Sequence, residues 1–174
     1  MEKFYTKILG TFVFCEGPRP LTSVRDVLID PATGKICAFE VNAGKNDVIV
    51  PIDVLKWDKF ISINDADSII DAEDVMAVNK VLEENIRVFK NKVFTKKDEY
   101  LGRVFDFTVD SVDFRLKSIY VSEGFLGLLR YRKRVISSKD IVEILADKIV
   151  VKQDRGVVKE SSSRDVPIKN LAGA

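Results

Sequence analysis

A chain of 174 residues, 46% hydrophobic and 32% charged, has ordinary globular composition and the length of one large domain or two small ones. Its 28 Lys and Arg against 27 Asp and Glu leave a net charge of +1, which argues against a large basic surface for nucleic acid but leaves room for a local patch. Histidine is absent, and with it the commonest general base and zinc ligand; the two cysteines, Cys15 and Cys37, cannot complete a four-ligand structural zinc site.

The opening residues, Met1 to Lys7, lack the apolar run of a signal peptide, and no stretch of about 18 apolar residues occurs anywhere. The reading is therefore a cytoplasmic protein without membrane insertion, its two thiols reduced rather than joined in a disulfide.

Along the chain, short runs rich in Val, Ile and Phe alternate with turn residues every eight to twelve positions, the spacing of a small barrel or sandwich. Ile8, Val13-Phe14 and Leu21–Asp30 come first. Asp30-Pro31-Ala32-Thr33-Gly34-Lys35 then reads as a hairpin turn, with proline presetting φ and Gly34 free to take positive φ. Ile36–Val41, Val48–Val54 and Asp58–Ile63 follow as strands. Asp71 can cap a helix with Asp74 in its first turn; Val75, Val78 and Leu82 recur at helical spacing, and Asn85 is a stop. In Leu101–Asp110, Phe105, Phe107 and Val109 alternate with Asp106 and Thr108, which predicts one face on a core.

Comparison of the chain with itself shows a duplication. At an offset of 80, Leu21–Asp30 lies over Leu101–Asp110, Ile36–Val41 over Leu116–Val121, and Val13-Phe14 over Val93-Phe94. Val48–Val54 then corresponds to Val135–Ile141. The step from Val41 to Val48 is 7 positions and that from Val121 to Val135 is 14, so the second copy carries 7 extra residues, as a strand connection permits. The second hairpin turn, Asp110–Phe114, lacks proline and glycine and is expected to be less sharply specified.

These motifs resemble the PRC-barrel family, the β-barrel of the reaction-centre H subunit's cytoplasmic part and of the ribosome-maturation factor's C-terminal domain. The first copy offers Val24-Arg25-Asp26, Asp30–Lys35 and Val50-Pro51-Ile52-Asp53-Val54. The second offers Leu101-Gly102-Arg103-Val104-Phe105-Asp106, Gly124–Gly127 and Ser138-Lys139-Asp140-Ile141. Thr22-Ser23 stands where the family has Leu-Gly, and Ser138 where it has proline. The resemblance implies an all-β protein of two small PRC-type barrels in tandem with a short connecting helix: a first barrel at 1–66, a helical connector at 67–85, a second barrel at 86–155 and a mobile tail at 156–174. It also implies a docking module with no catalytic residues to carry over.

A copy of this size buries only about 60% of its unfolded surface, so the two copies are expected to pack together. In the tail, Val157-Val158 offers strand addition as the alternative to mobility.

No catalytic, cofactor or metal site is predicted. Asp65/Asp67 and Asp71/Glu73/Asp74 flank a helix start, where acidic residues belong without a cation, and the EF-hand spacing is absent. Trp57 is read as a barrel plug, with an interface anchor as the alternative. The candidate partner surface is the longer connection of the second copy. Phe125, Leu126, Leu128 and Leu129 give an apolar run beside the basic run Arg130, Tyr131, Arg132, Lys133 and Arg134. The first reading is another protein docking there, onto a monomer or homodimer. The second is RNA, with Arg130, Arg132, Lys133 and Arg134 on phosphates and Tyr131 stacking. The plain alternatives are packing of the apolar run as a long hairpin into the groove between the barrels, and a solvated strand edge for the basic run.

Overall fold

The computed structural model of the chain describes residues 1–123 and 132–153, apart from the Arg132 side chain. The protein is mainly β. Its first half contributes β1 (Glu2–Phe4), β2 (Phe12–Phe14), β3 (Thr22–Ile29), β4 (Ile36–Val41), β5 (Asp47–Ile49), β6 (Val54–Trp57), β7 (Ile61–Ile63) and β8 (Ile70–Asp71). A one-turn helix, α1 (Tyr5–Ile8), follows β1, and α2 (Met76–Glu83) follows β8. The second half contributes β9 (Lys92–Thr95), β10 (Tyr100–Asp110), β11 (Leu116–Glu123), β12 (Arg132–Ser137), β13 (Ile141–Ile144) and β14 (Lys148–Val151).

The strands form two curled sheets with the same order. One runs β6-β7-β2-β3-β4-β5-β8, the other β13-β14-β9-β10-β11-β12. Each contains one parallel pair at the same place, β2 with β7 and β9 with β14. Registers also agree: Phe39 faces Ile49 in the first sheet, and Ile119 faces Ile136 in the second. The second hairpin is longer in its paired part as well: β11 runs on to Glu123 and β12 starts at Arg132, with Ser122 opposite Lys133 and Glu123 opposite Arg132, while the register at Ile119 and Ile136 is kept.

Both long strands bulge at one place. Register shifts occur between Val24 and Asp26 in β3 and between Val104 and Asp106 in β10, so Arg25 and Phe105 are the extra residues. In each case the following aspartate closes the bulge on the next amide: Asp26 Oδ1 accepts from Val27 N at 2.7 Å and Asp106 Oδ1 from Phe107 N at 2.9 Å. A bulge resets the two-residue alternation. Phe105 is therefore 39% exposed, which corrects the expectation that it shares the core face of Phe107 and Val109; Thr108, expected outward, is fully buried between them.

The two hairpin turns are alike, contrary to the expectation from composition. Asp30 Oδ1 accepts from Ala32 N at 3.0 Å and Asp110 Oδ1 from Val112 N at 2.8 Å. The fifth residue is left-handed in both, Gly34 at φ +67° and Phe114 at φ +54°. The aspartate side chain sets each turn locally, and a phenylalanine accepts the strained φ because its ring is packed.

The expected helix is shorter and differently capped. Asp71 caps the 3-10 turn Ala72–Asp74, accepting from Glu73 N at 2.9 Å, and α2 begins only at Met76. Val78 and Val81 are its buried residues, with Val75 and Leu82 half-buried beside the core. Asn85 takes φ +52° just past the helix end, the left-handed stop its position suggested. Within the same stretch, Ile70–Asp71 pairs with β5 as a strand. The tail 156–174 lies outside the described residues.

The halves clasp each other through backbone. Ile36 N donates to Phe114 O at 2.7 Å and Leu116 N to Gly34 O at 2.8 Å, so the two turns pair antiparallel across Lys35 and Arg115. The first strand of the chain joins the second sheet, with Glu2 opposite Asp110 and Phe4 opposite Thr108 on β10.

Candidate functional site

The sequence-marked docking residues Phe125, Leu126, Leu128, Leu129, Arg130 and Tyr131 lie outside the described residues. Arg132, Lys133 and Arg134 open β12, opposite Glu123, Ser122 and Val121 on β11. Lys133 is exposed. Arg134 is not available to a phosphate: it is 4% exposed, and its Nη1 donates to Leu101 O at 3.0 Å and lies 3.5 Å from Glu123 Oε2. The guanidinium ties β12 across β11 to β10. Removing it in Arg134→Ala leaves a buried carbonyl without that donor, and the expected loss is about 1–3 kcal/mol in urea unfolding. An unchanged midpoint would return Arg134 to the surface.

A second group of charges gathers where the halves meet. The Tyr5 hydroxyl donates to Asp26 Oδ1 at 2.8 Å, and the Arg87 Nε lies 3.3 Å from Asp26 Oδ2. The Arg87 Nη2 reaches Glu40 Oε2 and Arg25 Nη2 reaches Glu40 Oε1, both at 3.6 Å. Burial, then the negative charge and hydrogen bond of Asp26, push the Tyr5 phenol well above its ordinary range, and Arg87 offsets part of this. The second sheet keeps the aspartate, as Asp106, but not the charges beside it. Phe105 and Tyr120 replace Arg25 and Glu40, with Phe4 packed on Tyr120 at 5.3 Å and Phe105 at 6.2 Å. Asp106 instead accepts from Thr6 N at 3.2 Å and Thr6 Oγ1 at 2.7 Å. Each aspartate therefore holds a lead-in segment from the opposite half, residues 84–89 on Asp26 and residues 2–6 on Asp106. The contacts make a structural lock, with Tyr5 only 5% exposed and its hydroxyl held on Asp26.

Trp57 belongs to the core. It is 7% exposed, meets Phe39 edge-on at 5.0 Å, and stacks on Phe114 of the opposite turn at 5.8 Å. The acidic residues noted in the sequence are used as caps, Asp65 accepting from Ser68 N at 3.0 Å and Asp71 as above. Among the described residues, no three His, Cys, Asp or Glu side chains come together as a metal site would need. Cys15 and Cys37 are both free. Cys15 Sγ donates to Asn64 O at 3.2 Å, and burial pushes the Cys37 thiol up to about 11, leaving it a poor nucleophile.

Two grooves open at the junction. One, of about 470 Å³, lies between the N-terminal strand and Trp57–Lys59 and is rimmed by charges of both signs, Glu2, Lys3, Lys7, Asp58 and Lys59. The other, of about 400 Å³, lies between the Pro31–Gly34 turn and β13, floored by Leu116, Ile141 and Ile144. Sequence reasoning missed both, because each is formed by segments far apart in the chain. Among the described residues, no helix is long and apolar enough to cross a membrane. Compared with known proteins, the chain matches no family model and no curated protein.

Proposed function

We propose that this chain is a cytoplasmic adaptor, built from two small PRC-type β-barrels in tandem with α2 between them, whose work is to dock another protein. The observation that carries the reading is the junction. Two sheets of one strand order are clasped turn to turn, and the shared face is recessed into grooves rather than fitted with reacting groups. The absence of histidine from the sequence removes the commonest general base, which weakens an alternative built on catalysis. In this proposal the run Phe125–Lys133 adds a further contact at the β11–β12 end. The RNA reading is weakened by Arg134, whose charge is spent inside the protein.

The test is purification of the tagged full chain from its native host, with and without RNase, beside a Phe125→Asp, Leu128→Asp variant. One or a few partners resistant to RNase, with recovery reduced at least about tenfold in the variant, are expected; truncating interface anchors typically costs this much. Ribosomal proteins released by RNase would overturn docking in favour of RNA assembly. Full recovery by a folded variant would remove the 125–133 surface from the proposal.

A further inference from the structure

The groove between the Pro31–Gly34 turn and β13 has an occupied counterpart inside the same molecule. By strand order and register, the turn Pro31–Gly34 matches Ser111–Phe114, and β13 matches β6, with Ile144 at the place of Trp57. In the first half that place is filled: Phe114 reaches across from the opposite turn, stacks on Trp57 at 5.8 Å and lies 6.4 Å from Phe39. In the second half the reaching residue is Gly34, which has no side chain, and the receiving residues are the smaller Ile119 and Ile144. The result is a groove of about 400 Å³ where the other half holds a ring.

The rim adds a charge preference. Arg115, Lys117 and Lys139 stand around the opening against Glu143 alone among the acidic lining residues. Lys117 is paired with Asp113 at 2.8 Å, so the excess is carried by Lys139 and by Arg115, whose Nη1 donates to Thr33 O at 3.4 Å. An apolar floor with a cationic rim selects an apolar residue within an acidic stretch.

We propose that this groove docks a partner peptide through one aromatic side chain flanked by acidic residues, the ring taking the place that Phe114 takes in the other half. The inference rests on the docking reading above and narrows it to one surface and one ligand chemistry.

The full chain, labelled with ¹⁵N, is titrated with the peptide acetyl-Asp-Phe-Asp-amide and with acetyl-Asp-Ala-Asp-amide. The expected result is saturable shifts at Thr33, Gly34, Leu116 and Ile144 with the phenylalanine peptide alone. The dissociation constant should be on the order of 1 mM, since a single ring is buried. Gly34→Phe should abolish these shifts by filling the groove from within. A Cβ at Gly34 meets nothing within 4 Å, and the equivalent Phe114 already holds positive φ. Should that variant not fold, Lys139→Glu is to weaken binding about fivefold by reducing the rim's charge.

Shifts scattered over the surface, equal shifts with the alanine peptide, or binding undiminished in a folded Gly34→Phe would overturn the proposal. So would binding seen only after residues 154–174 are removed, which would make the chain's own tail the occupant. Concentration-dependent shifts without peptide would do the same in favour of a second copy. Partner capture that persists in Gly34→Phe, together with no peptide binding, would reject this groove and leave the docking reading standing.

Discussion

Gly102→Ala is expected to destabilise the protein by about 3 kcal/mol or more, enough to unfold the second sheet under mild urea. Gly102 sits in β10 at φ +124°, where residues with a side chain are strained. A Cβ there would stand 2.2 Å from Ser122 O, 2.5 Å from Ser122 C and 2.8 Å from Glu123 N. All three are backbone atoms of β11, so no side chain can rotate away and the ladder itself must shift. The close approach belongs to the second half alone. There β11 continues through Glu123, whereas β4 stops at Val41, short of the position equivalent to Ser122, and Thr22 is accommodated at the position equivalent to Gly102. Gly17→Ala separates the two causes, because Gly17 has φ +104° with nothing within 4 Å of its missing Cβ. That variant should lose only about 1 kcal/mol of backbone strain. Urea unfolding followed by circular dichroism reads both, and equal losses would show that β10 and β11 do not touch at Gly102.

The Leu-Gly pair at 101–102 was visible in the sequence as a motif, yet its reason was not. A glycine announces a special backbone, and only the neighbouring strand says whether the need is for φ or for space. The same division runs through the whole molecule. The offset of 80 residues brought Val24 over Val104 and Ile36 over Leu116, and both pairs occupy the same place in strand order because apolar spacing within a strand is local. Of the extra residues after Val121, some lengthen β11 and β12 as further pairs, which a count of positions does not show. Two-residue alternation likewise carries no mark of the bulge beside Asp106 and so places Phe105 inward. Asp110 holds its turn without proline or glycine, since one carboxylate on the amide of Val112 does the work of both. Arg134 was grouped with its charged neighbours, while the carbonyl that buries it belongs to Leu101, 33 residues away. The grooves were illegible for this same cause: their walls come from a turn of one half and a strand of the other.

Tyr5→Ala is expected to cost about 3–5 kcal/mol and to loosen the two halves together, the usual scale for emptying a buried aromatic site. Tyr5 is 5% exposed although it lies near the start of the chain. Its ring stacks on Phe107 of β10 at 4.6 Å and packs on Phe89 at 4.8 Å, while its hydroxyl donates to Asp26 of β3. One side chain thus bridges both sheets, and Trp57, stacked on Phe114 across the junction, should change its emission as they part. Tyr5→Phe keeps the ring and removes the hydrogen bond to a carboxylate, for a loss of about 1.5–3 kcal/mol near neutral pH. The two variants also differ at alkaline pH, and the sign follows from the raised phenol. Below about pH 10 the tyrosine is neutral whether folded or unfolded, and its stabilisation is fully present. Above that the unfolded chain releases the proton while Tyr5, buried against Asp26 and Glu40, retains it. Stability then falls by about 1.4 kcal/mol for each further pH unit, per such group, toward the elevated folded value. Tyr120, raised mainly by burial, and Cys37 share in the slope of the wild type, so the difference between wild type and Tyr5→Phe isolates Tyr5. Unfolding free energies measured between pH 8 and about 11 should converge for the two proteins, the hydrogen bond's advantage being spent as the unfolded phenol ionises. Parallel curves over that range would mean that Tyr5 ionises as freely in the folded protein as outside it, and that the bond to Asp26 does not hold the halves.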